Sequence, residues 1–386
     1  MLQKTLTKSL IASAVVGVLA MVPAHAAEPE WDFGGYIKLD AFVSDYQDGQ
    51  APTTGFIGRQ FYIPSTTPVG GNGDDMVTDV HARQSRFFFN VSQDLDNGET
   101  IKARIELDFM TVPVGDERIT NSYAPRLRQA YFTYSNWLVG QAWSNFQNLA
   151  ILPESVDFIG ATDGIIFMRQ PQVRYTQGGF SVSLENPETT VTPYGGGGRI
   201  TSSDGVLPDF TAKYVGTSGD FSYSIAGLVR QLTHDVGGDG NDETVSGYGV
   251  SVGAKWQLGQ HDLRASVQTG SGLGRYLGLN LFNGAVIDAS GDLESIDSSG
   301  VTLAYRHVWN DTTRTNLVFS RGWADHAVNL TGNAVTEYTQ RIGANLMYSP
   351  VKNATFGAEL SRATRETEAG TDGDMSRLQF MAMYSF

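Results

Sequence analysis

The sequence contains no cysteine, and only 18% of its 386 residues are charged. Without thiols there is no disulfide framework and no thiolate metal centre. The charged fraction lies below the roughly 25% usual for soluble globular domains. Long hydrophobic runs are missing too. One stretch, Leu10–Val22, is predominantly apolar, and it is too short to cross a bilayer as a helix. A helical membrane protein is thereby excluded. Positive charge is scarce, with 27 Lys and Arg against 41 Asp and Glu. At a net charge of −14 the chain would repel duplex phosphates, so no nucleic acid is expected as a partner.

What is present begins with an address. Lys4 and Lys8 form a positive leader, Ser9–Val22 an apolar segment, and Ala24-His25-Ala26 places small residues at −3 and −1 of a signal-peptidase site. Residues 1–26 are expected to be a signal peptide cleaved after Ala26, and 27–386 a single exported domain.

From Gly34 onward the chain alternates with period two. Ile101, Ala103, Ile105, Leu107 and Phe109 interleave with Lys102, Arg104, Glu106 and Asp108, a pattern that no 3.6-residue period produces. About sixteen such segments recur, each near the length of a tilted transmembrane strand. They begin near Gly34, His81, Glu99, Arg126, Trp137, Arg169, Phe180, Asp209, Phe221, Val245, His261, Ser299, Thr312, Tyr338, Ala354 and Met375. Short connections such as Asp96-Asn97-Gly98, Ser135-Asn136 and Gly259-Gln260 alternate with long ones rich in Gly, Asp, Ser and Thr. A soluble sandwich has no reason to keep its long loops at one end. An all-β, up-and-down antiparallel transmembrane barrel with short periplasmic turns and long outer loops does. Closure satisfies every backbone donor and acceptor without water. The expected location is the outer membrane of a Gram-negative bacterium.

Sorting charge by this map changes the meaning of the net number. The eight long loops hold about 25 acids but only Arg59, Arg118, Arg199 and Arg275 as bases. The strands are basic. A cation facing lipid at the midplane costs about 2–4 kcal/mol, so these side chains are expected to face the lumen. Parity agrees for Lys38, Arg86, Lys102, Arg104, Arg126, Arg128 and Arg174, which make up the expected pore-lining ladder, and for Lys255, Arg264, Arg341 and Arg377. Arg83 has the wrong parity relative to Arg86 and requires a bulge or a place above the bilayer. The connection after the fifth strand, 144–168, carries Leu149, Ile151, Leu152, Val156 and Phe158 among its polar residues, which suggests a loop folded inward. Its acids Glu154, Asp157 and Asp163 are expected to stand opposite the bases across a constriction and set a transverse field. The competing reading is that the arginines simply pair with Glu106, Asp108, Glu185 and Glu359.

No enzyme is expected. His234-Asp235 and Asp325-His326 fall in outer loops, where a rim-type protease could place a catalytic pair, but each reads as a solvated loop dipeptide. No histidines have metal-ligand spacing, and Gly195–Gly198 lacks the Lys-Ser/Thr of a phosphate loop and reads as a flexible stretch. The carboxylates of Asp239–Glu243 offer at most weak, unspecific Ca²⁺ binding. No metal and no cofactor are assigned.

Several segments carry a family resemblance: Gly34-Gly35-Tyr36-Ile37-Lys38-Leu39-Asp40, Arg83-Gln84-Ser85-Arg86, Gly140-Gln141 with Trp143-Ser144-Asn145-Phe146, Pro153-Glu154-Ser155-Val156-Asp157-Phe158, and Arg169-Gln170-Pro171-Gln172-Val173-Arg174-Tyr175. Together they resemble the DcaP-like family of Gram-negative outer-membrane porins. The resemblance implies a sixteen-stranded porin, usually a homotrimer, whose narrowed lumen passes small anions, with dicarboxylic acids as the substrate class. Some members carry a coiled coil before the barrel, whereas here only Ala27–Phe33 is expected ahead of the first strand. The expectation is a passive anion-preferring porin in contact with outer-membrane lipid and lipopolysaccharide. A nonselective general-diffusion porin is the alternative of the same class; an outer-membrane hydrolase and a structural or adhesive barrel are those of other classes.

Overall fold

A computed structural model describes residues 27–53, 57–73, 76–111, 115–116, 118–238, 240 and 242–386. The expected signal peptide therefore lies outside the described residues, as do Asp239 and Asn241 of the acidic loop segment. Among the described residues no helix is long and apolar enough to cross a membrane.

The alternating segments form a closed antiparallel barrel of sixteen strands. They are β1 (Glu30–Tyr46), β2 in two pieces (Val77–His81 and Arg86–Asp94), β3 (Thr100–Asp108), β4 (Arg126–Tyr134) and β5 (Trp137–Trp143). β6 (Arg169–Gln177), β7 (Phe180–Glu185), β8 (Asp209–Ser218), β9 (Phe221–His234), β10 (Glu243–Leu258) and β11 (His261–Ser271) follow. β12 (Asp297–Asn310), β13 (Thr313–Asp325), β14 (Thr336–Val351), β15 (Ala354–Thr367) and β16 (Asp372–Ser385) complete it. Strand β16 closes on β1 from Tyr36↔Ser385 to Tyr46↔Met375.

Eight strand starts differ from the expected ones, and two lie furthest away, by four residues each. β1 begins at Glu30 rather than Gly34, because Trp31 and Phe33 continue the outward apolar parity of Ile37 and Leu39. β2 is interrupted between His81 and Arg86; both pieces pair with β1, so they count as one strand. That break resolves the parity of Arg83, whose buried guanidinium lies 3.9 Å from the Tyr123 ring centroid while Nε donates to Phe109 O at 3.0 Å.

Outward-facing residues are apolar, from Ile37 and Leu39 through Val250 and Val252 to Leu378 and Phe380, and each is largely exposed in the isolated chain. Inward positions are polar. Such a sheet is stable only with lipid outside, and the exposed aromatics Trp256, Trp309 and Tyr384 lie at the short-turn ends of β10, β12 and β16, as at a membrane interface.

The long loops are not loose. Residues 189–192, 200–202, 285–287 and 293–295 build a small four-stranded sheet at the loop end of the barrel, joined by the parallel pair Val191↔Ala285. Val191, Leu232, Ala285, Ile287 and Leu293 form its apolar core. The connection 144–168 folds into the barrel, as its apolar residues lead one to expect. Ile159, Ala161, Ile165 and Phe167 pack with Phe61, Met110, Ala304 and Val318.

Candidate permeation site

Strands β2, β3 and β4 bring four guanidiniums onto two carboxylates. Arg104 NH2 donates to Glu106 Oε2 at 2.8 Å, and Arg128 Nε donates to Glu106 Oε1 at 2.6 Å. Arg128 NH1 also donates to Asp108 Oδ2 at 2.7 Å, and Arg126 grips Asp108 through Nε and NH2 at 2.9 and 2.8 Å. Arg86 Nε stands 3.9 Å from Glu106 and its guanidinium lies 5.3 Å from the Tyr36 ring centroid. Both carboxylates are buried, and so is Arg128, whereas Arg86, Arg104 and Arg126 keep part of their side chains exposed. Local strand geometry makes this density possible. A bulge opposite Glu106/Leu107 inserts one extra residue into β4, so Arg128 and Gln129 both reach Glu106 instead of alternating sides.

Arg169 belongs to the same group. Its guanidinium lies 4.4 Å from the Trp143 ring centroid and 5.7 Å from that of Phe167, and its strongest electrostatic neighbours are Arg128 and Arg126. Alternation gave it no place in the ladder, since it shares the parity of the outward Val173 on β6. The signal that could have found it is its position at the strand end, beside aromatic residues of the infolded loop. Five guanidiniums thus surround two carboxylates.

The remaining ladder residues divide. Arg174 is half-buried and makes no ion pair among the described residues, with Glu185 as its nearest acidic influence. Lys102 is exposed. Lys38 departs from the expectation of a pore-lining rung: it is buried, paired with Asp40 at 3.0 Å, and its Nζ donates to Gln84 and to Val156 O. It fastens the infolded loop to the wall.

The placement of the loop acids corrects the expected transverse field. Asp157 Oδ1 accepts from Tyr62 N at 3.0 Å, and its Oδ2 accepts from Ile159 N and Gly160 N at 3.3 Å. Asp163 accepts from Tyr62 Oη at 2.7 Å. Both are buried, so they organise the loop rather than face the arginines. Burial pushes the Asp163 carboxyl up to about 6. Glu154 is part-exposed but paired with Arg314 of β13, whose Nε lies 2.6 Å away. The loop face presented to the arginines is aromatic: the Phe158 ring centroid is 5.4 Å from the Arg128 guanidinium and 5.9 Å from that of Arg126. A loop buried in a polar lumen needs its carbonyls and acids tied down, and the sequence alone does not distinguish an anchor from a lining residue.

The anchoring wall is β11–β16. Glu359 Oε2 accepts from Val156 N at 2.8 Å, Ser320 Oγ donates to Ala161 O at 2.9 Å, and Gly164 N donates to Ser320 Oγ at 2.8 Å. Arg341 joins Glu359 to Gly160 O, and Arg264, paired with Asp262, donates to Leu152 O. The wall cations here are therefore engaged by acids and loop carbonyls. The two His-Asp dipeptides are placed apart. His234 Nδ1 lies 3.5 Å from Asp204, and His326 Nε2 lies 3.0 Å from Thr336 O. Among the described residues no group of three metal-ligating side chains occurs.

The model of the DcaP outer membrane protein family matches residues 5–386. No curated protein sequence matches the chain. Among solved structures, the outer membrane channel DcaP of Acinetobacter baumannii superposes with a TM-score of 0.76 at 23% identity, covering 93% of this chain and 97% of that one. The anion-selective porin from Comamonas acidovorans gives 0.57 at 12% identity over 93% and 100% of the two chains. The trimer form of OmpT from Vibrio cholerae gives 0.56 at 12% over 93% and 100%. The chain belongs to the DcaP outer membrane protein family and is an outer-membrane barrel of the porin type.

Proposed function

We propose that this member of the DcaP family passes small anions, dicarboxylates in particular, by passive diffusion past the arginine group. The observation that carries the reading is the imbalance of five guanidiniums over two carboxylates, a local charge of +3 in a lumen whose loop acids are turned away. A carboxylate entering this region exchanges part of its hydration for guanidinium N–H donors, which match it in bidentate geometry. The part-exposed Arg86, Arg104 and Arg126 are the donors with side-chain area still open, and Arg174 and Lys102 continue the positive surface along the wall. Buried Arg128 serves as the pivot that holds Glu106 and Asp108 in place. Glu106 and Asp108 keep the site from holding anions too tightly, and conduction requires release as well as entry. Affinity in the millimolar range, about −4 kcal/mol, meets that need. No step of covalent chemistry is part of this reading.

The mature domain is proposed to begin after Ala26, with the barrel as one unit. A homotrimer is proposed from membership of a porin-type fold whose OmpT neighbour has a trimer form. Contact with lipopolysaccharide fits the outward Arg362, which pairs with Asp374 at 2.7 Å near the loop end of β15 and β16.

The test is the reversal potential of channels in planar bilayers under a KCl gradient, repeated with potassium succinate. Anion preference is expected, and Arg104→Gln with Arg174→Gln is expected to move the potential toward the cation side. A potential near zero in the native channel, unchanged by the substitutions, would establish a nonselective porin instead.

A further inference from the structure

The outer loops are strongly acidic, yet one cavity among them is not. It measures about 410 Å³ and lies between the 193–199 segment, the connection 281–283, the turn 326–336 and the upper end of β15. That volume is in the class of small-molecule sites. Among the described residues no Asp or Glu lines it, and two arginines do, Arg199 and Arg365.

Both arginines are held by neutral acceptors. Arg199 Nε donates to Asn283 Oδ1 at 2.6 Å and NH2 to Asn280 O at 2.5 Å. Arg365 Nε donates to Thr336 Oγ1 at 2.9 Å, and NH1 to Ser65 O and Thr67 O at 3.0 Å. These bonds orient the guanidiniums without cancelling their charge. Acids of the flanking segments, Asp325, Glu337 and Glu368, influence one another but do not line the cavity.

The walls are built rather than loose. Gly195 and Gly196 have φ of 76° and 95°, a region that favours glycine, and Gly195 N donates to Leu330 O at 2.6 Å. A Cβ on Gly196 would stand 2.7 Å from Thr331 O, so this run is required for close approach of two loops. The glycine stretch that reads as flexible in the sequence is thus a wall of the cavity.

We infer that this cavity is an anion-capture site at the outer mouth, which takes small organic dianions through Arg199 and Arg365 before they enter the barrel. The inference rests on the anion-preferring reading of the channel. Two fixed guanidiniums in a pocket without acids favour a ligand carrying two negative groups, and the Gly195–Gly197 backbone leaves room for it. In a field of loop acids that repels anions, such a site raises their local concentration at the entrance.

The test uses the folded barrel inserted in one orientation, with succinate added to either side. For Arg199→Gln/Arg365→Gln, the concentration giving half-saturating succinate current from the loop side is expected to rise roughly three- to tenfold, as for loss of charge-assisted hydrogen bonds in a partly wet site. From the turn side it should stay the same. An unchanged loop-side value overturns the inference, and so does an equal change from both sides. Failure of the channel reading is seen separately, as a native channel without anion preference. Heat-dependent gel mobility checks that the variant is folded.

Discussion

Arg128 and Glu106 are joined at 2.6 Å, and the same guanidinium reaches on to Asp108 at 2.7 Å. One buried cation therefore holds two carboxylates of β3 at fixed separation; three further arginines pair with them, and Arg169 stands beside the group. The arrangement is over-positive by design of its neighbours: Arg104 and Arg86 share Glu106, and Arg126 shares Asp108.

Replacing Glu106 by Gln removes one of the two negative charges and keeps the side-chain shape. The local charge rises by one, and anion preference measured by reversal potential is expected to increase. Arg128 loses a buried partner, which costs about 3–5 kcal/mol where the charge cannot find water. The barrel should fold, with a lower unfolding temperature. A shift toward cation preference would contradict the assignment of this group as the selective surface.

Gly164 seats the infolded loop. A Cβ there would collide with the carbonyl oxygens of Val301 and Arg321, and Gly300 and Gly322 leave the matching space on β12 and β13. Gly164→Val should lift the loop from the wall while leaving the strands paired. Single-channel conductance is expected to rise and anion preference to fall, because Phe158 no longer stands against Arg126 and Arg128. Conductance equal to that of the native channel would show that the loop does not set the constriction.

Most of the barrel is legible in the sequence because a half-buried strand in lipid imposes a strict period of two. The starts at Arg126, Trp137, Arg169, Phe180, Asp209, Phe221, His261 and Ala354 coincide with the observed ones. Parity also places Arg86, Arg104 and Arg126 on the inner face. It holds for Arg128 too, but fails where the backbone departs from regular pairing: at the break in β2 near Arg83, at the bulge that brings Gln129 to Glu106, and at the end of β6 where Arg169 turns onto Trp143. It is also silent on whether an inward charge is free. Lys38, Asp157 and Asp163 bind the loop through contacts 118, 95 and 101 residues away in sequence, and no local pattern encodes such pairings.

Closure of the barrel depends on Gly35. Its amide donates to Phe386 O at 3.1 Å and its carbonyl accepts from Phe386 N at 3.1 Å, while a Cβ would collide with Arg86 O on β2. Phe386 in turn lies 5.5 Å from the Phe33 ring and 6.3 Å from the Phe87 ring, which joins the chain end to both neighbouring strands. Gly35→Val is expected to prevent pairing of β1 with β2, and with it closure of the barrel, giving a chain that shows no heat-dependent shift on a gel. A fully heat-modifiable variant would show that the strand edge adjusts around the side chain.

Docking of the infolded loop depends on pH through Asp163. With the loop undocked the carboxyl is solvated and titrates at its ordinary value near 3.8, whereas burial in the docked loop raises it to about 6. The docked state thus holds a proton more tightly than the undocked one. Docking is fully favoured below the ordinary value, weakens as pH rises through the interval between 3.8 and about 6, and stays weaker above it. A difference of this size corresponds to roughly 3 kcal/mol, an order-of-magnitude figure. Tyr62 Oη, 2.7 Å away, donates to the carboxyl and survives as a partner if Asp163 is replaced by Asn. Single-channel records at pH 8 should therefore show more frequent excursions to high conductance than records at pH 5, and Asp163→Asn should remove the difference. Equal excursion rates in the native channel at both values would show that the loop stays docked whichever form of Asp163 is present.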